Sequence, residues 1–251
     1  MSTTASVNGR LQGKVALVTG AGSVGTGWGN GRAIAVRFSQ EGARVFAVDR
    51  DPGRMLETVR LVEEAGGEIT TAACDVTQID GVAATVGQCL ARYGRIDVLV
   101  NNVGGSAAGG PAEMNEEVWD AQMVHNLKSV FLTCKHVLPL MEGQASGALV
   151  NIASTSGVRW TGSAQVAYAS AKAGVIQFSR VVAVQYAKKG VRVNTVVPGQ
   201  LHTPMVDARL AGQRTGGDVG ALLAQRQSLR ARRPDPVAHQ RRRGCDQSTL
   251  V

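Results

Sequence analysis

The stretch Val15-Ala16-Leu17-Val18-Thr19-Gly20-Ala21-Gly22-Ser23-Val24-Gly25-Thr26-Gly27-Trp28-Gly29-Asn30-Gly31-Arg32-Ala33-Ile34-Ala35 decides the fold. It opens with an apolar, β-branched run, continues through a glycine-rich loop and enters a helical pattern at Gly31. Glycines let main-chain N–H groups approach a diphosphate, and the following helix N-terminus adds the positive end of its dipole. A plain tight turn is the alternative, and the glycines alone do not decide between them. What raises the nucleotide reading is the company they keep, beginning with Asp49, which ends the next apolar run 18 residues after Gly31. A carboxylate there can accept hydrogen bonds from both hydroxyls of an adenosine ribose and repels a 2′-phosphate, which favours NAD over NADP. Arg50 is the opposing feature, because a turned loop would let it pair with that phosphate. The bland reading of Asp49 is a helix cap or a turn residue.

Outward from this stretch, short β-branched runs alternate with longer amphipathic ones. Strands are expected at 15–19, 44–49, 68–76, 97–102, 148–154 and 191–197, and helices near 31–41, 53–65, 78–93, 114–141, 164–188 and 204–212. The strand runs are mostly apolar without strict alternation, as strands buried on both faces should be. Strand–helix alternation with right-handed crossovers predicts an α/β fold, a three-layer, doubly wound parallel sheet of the Rossmann kind with six recognisable strands. Residues 1–223 are expected to form one dinucleotide-binding and catalytic domain, and residues 224–251 a disordered basic tail.

Composition narrows the function classes. The 251 residues are 44% hydrophobic and 18% charged, as in one ordinary globular domain. No apolar run has the length of a membrane span, and the first twelve residues lack the apolar stretch of a secretory signal, so a cytoplasmic protein without membrane contact is expected. The net charge of +8 is concentrated at the end: residues 211–251 hold eight arginines and three aspartates. That run has neither interleaved aromatic residues nor a nucleic-acid-reading motif, so a solvated tail is expected rather than nucleic-acid binding. Cys74, Cys89, Cys134 and Cys245 form no C-x-x-C pair, which suggests neither a metal site nor a disulfide framework.

Tyr168-Ala169-Ser170-Ala171-Lys172 lies within a helical pattern, which puts Tyr168 and Lys172 on one helix face. Moving a tyrosine pKa from about 10 to about 7 takes roughly 4 kcal/mol of differential stabilisation, which a nearby ammonium and a cationic nicotinamide can supply. Ser154 ends the preceding strand, and Asn126 lies in the helix before that strand. Singly, these four read as a surface aromatic, a solvated charge, a turn residue and a cap. Their order along the chain is what makes them a candidate catalytic set.

From about residue 11 to 210 the chain resembles the short-chain dehydrogenase/reductase family. The resemblance rests on Thr19-Gly20 with Gly29 and Gly31, Asp75-Val76, Asn101-Asn102-Val103-Gly104, Asn126, Ser154, Tyr168-x-x-x-Lys172, and Pro198-Gly199 followed by Thr203. It implies hydride transfer between NAD(P) and a secondary alcohol or ketone. Tyr168 is then the general acid/base, Ser154 polarises the carbonyl, Lys172 holds the nicotinamide ribose and lowers the tyrosine pKa, and Asn126 anchors a proton-relay water. Asp75 and Val76 would frame the adenine, Asn102 and Gly104 the ribose side of the pocket, and Pro198, Gly199 and Thr203 the carboxamide. Homo-oligomers are implied as well.

The chain departs from the family pattern in three places. Eight residues separate Gly20 from Gly29, five more than the family has, and Trp28 is among them. Thr155 and Ser156 are rival hydroxyls to Ser154, which is preferred because it directly follows the strand. After about residue 223 no candidate remains for the family's seventh strand, and the Arg- and Pro-rich ending looks like a shifted reading frame or a truncated gene. That ending weakens the oligomer expectation and keeps open a catalytically inactive, truncated nucleotide-binding remnant as the alternative to an active enzyme. Residues 104–114, 155–165 and those after Thr203 would shape a roomy, uncharged substrate pocket, with Trp160 and Met205 as its larger members. A steroid, a sugar lactol, an acyl-chain ketone or a cyclic alcohol would each suit it.

Overall fold

In the computed structural model, which describes residues 9–199, 201 and 203–206, six strands run in parallel. They are β1 (Val15–Thr19), β2 (Arg44–Asp49), β3 (Glu68–Ala73), β4 (Val98–Asn101), β5 (Gly147–Ile152) and β6 (Val191–Val196), in the order β3-β2-β1-β4-β5-β6. The order reverses between β1 and β4, and the crevice at the carboxyl ends of these two strands is where such a sheet accommodates a ligand.

The register sorts side chains onto two faces. Leu17 stands level with Phe46 on one side and Leu99 on the other, and together with Val15 and Leu149 they enter one apolar cluster. Ala16, Val18, Val45, Val98 and Val100 enter a second cluster on the opposite face. Helices α3 (Ile79–Tyr93), α5 (Ser129–Gly143) and α6 (Val166–Tyr186) close the first cluster with Val86, Val137, Met141 and Val175. On the other face, α1 (Asn30–Gln40) contributes Ala35, and Met55 enters from a 3-10 turn leading into α2 (Leu56–Glu64). Full burial of each Val or Leu stabilises the fold by about 1.5–3 kcal/mol.

Burial on both faces holds for β1, β2 and β4. Along β3 and β6, residues such as Glu68, Arg192 and Asn194 are exposed instead. Each of these strands is bonded to one neighbour within the described sheet, so less of the structure covers it. β3 also stops short of the expected residue 76. The Cys74 N–H makes a last bond to the Asp49 carbonyl at 2.9 Å, and Asp75 then turns the chain by accepting from the Thr77 N–H at 2.9 Å.

The long helix expected over 114–141 is interrupted. α4 (Glu116–Met123) passes through a π-helical turn, Val124–Lys128, before continuing as α5. Apolar periodicity does not register one extra residue in a turn, and such turns are frequent at functional sites. Of the helix expected over 204–212, residues 204–206 are helical and the remainder lies outside the described residues. So do the tail at 224–251, Cys245 and the question of a seventh strand. Cys74, Cys89 and Cys134 are buried and unbridged.

Candidate active site

The glycine loop is stitched to the end of β4. The Asn102 amide donates to the Gly20 carbonyl at 2.9 Å, and the Asn102 N–H donates to the Thr19 hydroxyl at 3.1 Å. Gly20 has φ of +63°, a conformation glycine adopts without steric cost. At Gly31 the need is space: a Cβ there would lie 1.8 Å from the Gly20 carbonyl oxygen. Gly29 is the N-cap of α1; no side chain caps this end, and the first turn carries no acidic residue. Its N–H groups are therefore left for an anion.

The expanded loop is exposed from Val24 to Trp28 and is tied down at Gly27. Arg32, only 5% exposed, donates from its guanidinium to the Gly27 carbonyl and to Thr58 Oγ1, and Thr58 in turn donates to the Ala21 carbonyl at 2.9 Å. The loop also reaches the segment after β6, where Pro204 lies 3.4 Å from the position of a Cβ on Gly25.

Asp49 ends β2 as a fixed acceptor. Its Oδ2 accepts from the Gly22 N–H at 3.1 Å and its Oδ1 from the Asp51 N–H at 3.2 Å. Each carboxylate oxygen retains accepting capacity beyond one such bond. Asp75 Oδ1 accepts from the Thr77 hydroxyl at 2.7 Å. These Thr77 bonds, and at longer range Arg50 and His125, hold the Asp75 carboxyl below its usual range. Arg50 thus acts on Asp75, while Val76 packs into the core at 5% exposure.

The candidate catalytic side chains converge on the other side of the crevice. Lys172 is 2% exposed; its Nζ donates to the Ile152 carbonyl at 2.8 Å and stands 5.8 Å from the centre of the Tyr168 ring. Burial lowers its pKa to about 8. Asn126, fully buried in the π turn, accepts from the Gly105 N–H at 3.0 Å and donates to the carbonyls of Gly105 at 2.9 Å and Gln122 at 3.0 Å. Both side chains approach Gly104: a Cβ there would lie 2.8 Å from Lys172 Nζ and 2.9 Å from Asn126 Oδ1. Only glycine leaves that passage open.

Ser154 follows β5 and caps a 3-10 turn, Thr155–Gly157, its hydroxyl accepting from the Ser156 N–H at 3.2 Å. The rival hydroxyl of Ser156 is engaged elsewhere, with Thr161 Oγ1 at 3.2 Å and the Gln165 amide at 3.0 Å. The turn packs directly on α6, since a Cβ on Gly157 would meet the backbone of Lys172 and Ala173 at 2.7 Å. Pro198 is tied to the same turn through its carbonyl, which accepts from the Thr155 N–H at 3.0 Å. Thr203 Oγ1 accepts from the Val206 N–H at 3.4 Å, and around Gly199 the space is open. The 104–114 and 155–165 segments are joined where Gly109 bridges Gln165, and Trp160 and Met205 are exposed beside them.

The short chain dehydrogenase family matches residues 14–214. The chain belongs to the short-chain dehydrogenase/reductase family. A crystal structure from Burkholderia xenovorans, described as a member of this family, superposes with a TM-score of 0.85 at 61% identity, covering 91% of this chain and 85% of that one. A 3-oxoacyl-acyl-carrier-protein reductase of Thermotoga maritima is 39% identical over 198 residues, 79% of this chain and 78% of its own length. The structure of an NAD+-bound xylitol dehydrogenase gives a TM-score of 0.74 at 31% identity, covering 80% of this chain and 75% of that one.

As a short-chain dehydrogenase/reductase, the protein is an NAD(P)-dependent enzyme acting between CH–OH and keto groups. The uncapped α1 N-terminus, the close approach of Gly31 to the Gly20 carbonyl and the glycine passage at 104 fit a dinucleotide. Among the described residues no group of three or more His, Cys, Asp or Glu side chains is placed to hold a metal, and no helix is long and apolar enough to cross a membrane.

The sequence reading overlooked Gly105, Gln122, Gly157 and Arg32. Gly105 and Gly157 had a signal, being glycines next to a motif. Gln122 and Arg32 had none: Gln122 offers its carbonyl to the Asn126 amide one turn along, and Arg32 meets the Gly27 carbonyl and the Thr58 hydroxyl, contacts that the residue types alone do not announce.

Proposed function

We propose that this enzyme uses NAD and interconverts a secondary alcohol and its ketone, with Tyr168, Ser154, Lys172 and Asn126 as its working residues. The observation that carries the reading is the placing of the Lys172 ammonium 5.8 Å from the Tyr168 ring, at the glycine passage it shares with Asn126. NAD, held at its nicotinamide ribose by Lys172, would supply hydride transfer to and from the alcohol carbon. Tyr168 takes the hydroxyl proton in oxidation and gives it back in reduction. Ser154 donates a hydrogen bond to the same oxygen and orients it. The Lys172 ammonium favours the phenolate form of Tyr168 and holds the nicotinamide ribose. Asn126 Oδ1 accepts one hydrogen bond, from Gly105, and with its second lone pair would anchor a proton-relay water beside the Gly104 passage.

Asp49 supports NAD over NADP. Anchored from both oxygens at the end of β2, it meets the ribose hydroxyls with acceptors and a 2′-phosphate with like charge. Asp49 makes no ion pair among the described residues, and Arg50, exposed next to it, is the one feature that would favour a 2′-phosphate instead. Gly20, Gly29 and Gly31 would receive the diphosphate, Asp75 and Val76 the adenine, Asn102 and Gly104 the ribose side, and Pro198, Gly199 and Thr203 the carboxamide. The test is a screen of secondary alcohols and ketones, read by the absorbance of reduced nicotinamide with NAD and with NADP. Turnover with NAD at the higher kcat/KM is expected; a preference for NADP overturns the cofactor assignment.

A further inference from the structure

Arg32, in the first turn of α1, is a buried cation that makes no ion pair among the described residues. Glu57, on which its charge acts, pairs with Arg60 instead. A cation withdrawn from water is costly to hold unless its donors are used. Here they go to Thr58 Oγ1, at 3.4 Å, and to the Gly27 carbonyl. The loop that carries Gly27 has little else to fix its middle. Val24 and Trp28 are exposed, and the Ser23 hydroxyl bonds within the loop, to the Gly25 carbonyl at 2.9 Å. Only at its start is the main chain tied elsewhere, where the Ser23 N–H donates to the Arg54 carbonyl at 3.2 Å.

The loop meets both halves of the sheet. Thr58, to which Arg32 is also bonded, lies on α2, between β2 and β3. Pro204 comes from the segment after β6. Its Cβ lies 3.4 Å from the position of a Cβ on Gly25, and its Cγ 3.8 Å from that of one on Gly27. In the strand order these two elements fall on either side of the reversal between β1 and β4, where the ligand crevice opens. Loop 23–28 therefore spans that crevice just ahead of the uncapped α1 N-terminus, with Arg32 at one anchorage and Pro204 at the other.

Resting on the reading that Gly20, Gly29 and Gly31 receive the diphosphate, we propose that loop 23–28 is a strap retaining the cofactor and that Arg32 is the positioning residue that holds it down. The strap must lift for the dinucleotide to leave. Lifting breaks the Arg32 bond to Gly27 and parts the loop from Pro204, so both contacts slow release. Gly27, with φ of +99°, gives the main chain the freedom to make that movement.

Stopped-flow measurement of NADH release from the full chain tests this. The binary complex is mixed with excess NAD, and the loss of bound-NADH fluorescence gives the dissociation rate. Arg32→Met keeps an unbranched side chain but deletes the bond to Gly27, and release is expected about tenfold faster. Gly25→Ala adds a methyl at ordinary contact distance from Pro204, on a backbone outside the left-handed region, and release is expected about threefold slower. General loosening of the fold speeds release in both variants and cannot slow it in one. Arg32→Lys, which keeps the cation, should fall between wild type and Arg32→Met, and it stands in should the Met variant not fold. Unchanged rates in the variants, or faster release from Gly25→Ala, overturn the strap while leaving the cofactor site in place. If NADPH binds and NADH does not, the proposed preference for NAD falls, and the same chase of NADPH with NADP reads the strap. Binding of neither overturns both.

Discussion

The Lys172 ammonium donates to the main-chain oxygen of Ile152, the last residue of β5, at 2.8 Å. One charged group on α6 is thereby drawn against the strand that leads into Ser154. Burial lowers its pKa from 10.5 to about 8, so the protein holds a cation here at a cost to its own stability.

That cost can be measured by removing the charge. Between about pH 8 and 10.5 the unfolded chain keeps the Lys172 proton and the folded one has lost it, so this group makes stability rise with pH across that window. Below pH 8 both states are protonated and the penalty is present in full. Lys172→Met, without cofactor at pH 7, is therefore expected to melt higher than the wild type, by on the order of 1–3 kcal/mol after the orphaned Ile152 carbonyl is counted. The gain should narrow by pH 10, while NAD affinity and turnover fall at every pH. A lower melting temperature at pH 7 would show that the bond outweighs the burial.

Tyr168→Phe keeps the ring and removes only the hydroxyl. Turnover should drop at least about a hundredfold with NAD affinity nearly unchanged. Steady-state kinetics beside equilibrium NAD titration separates the two, and retained turnover would remove Tyr168 from the proton path.

Asp49→Ala deletes the acceptor at the end of β2 and the repulsion toward a 2′-phosphate. The NAD-to-NADP ratio of kcat/KM should shrink about tenfold, each hydrogen bond to a charged group contributing about 1.5–3 kcal/mol. The Gly22 and Asp51 N–H groups lose their acceptor in the same variant, so both efficiencies can fall; the ratio is the informative quantity, and an unchanged ratio argues against Asp49 as the selector.

Gly157→Ala tests whether the Ser154 turn must sit directly on α6. The added methyl meets Lys172 and Ala173 backbone at 2.7 Å, and backbone cannot rotate away as a side chain can. We expect about 1–3 kcal/mol of destabilisation and kcat reduced tenfold or more, with NAD affinity falling as well because the displaced backbone is that of Lys172. Wild-type kcat in a folded Gly157→Ala enzyme would mean that the turn tolerates displacement.

The six strands and their helices were legible because each signal is local. The Val15–Thr19 run, the glycines after it and the 3.6-residue period of Tyr168 and Lys172 are properties of neighbouring residues, and the backbone physics of strands and helices acts over the same short range. Candidate residues could be picked out for a related reason: Gly20, Asp49 and Ser154 fall at or just beyond strand ends, which a parallel sheet gathers along one edge, and Tyr168 lies in the first turn of α6.

What the chain order could not contain is which main-chain groups those residues meet. The division of the 114–141 helix at Asn126, the engagement of both ends of its amide with Gly105, the tight seat of Gly157 on α6 and the anchoring of the extended loop through Arg32 all depend on segments far apart in sequence. In each case a side chain or a missing Cβ is fitted to a backbone surface that exists only once the sheet has formed. The sequence by itself therefore determined the layers, the strand ends and the residue types available there. The tertiary structure decided which of them touch, because close packing and the satisfaction of buried main-chain groups are set by the whole assembly rather than by any one stretch.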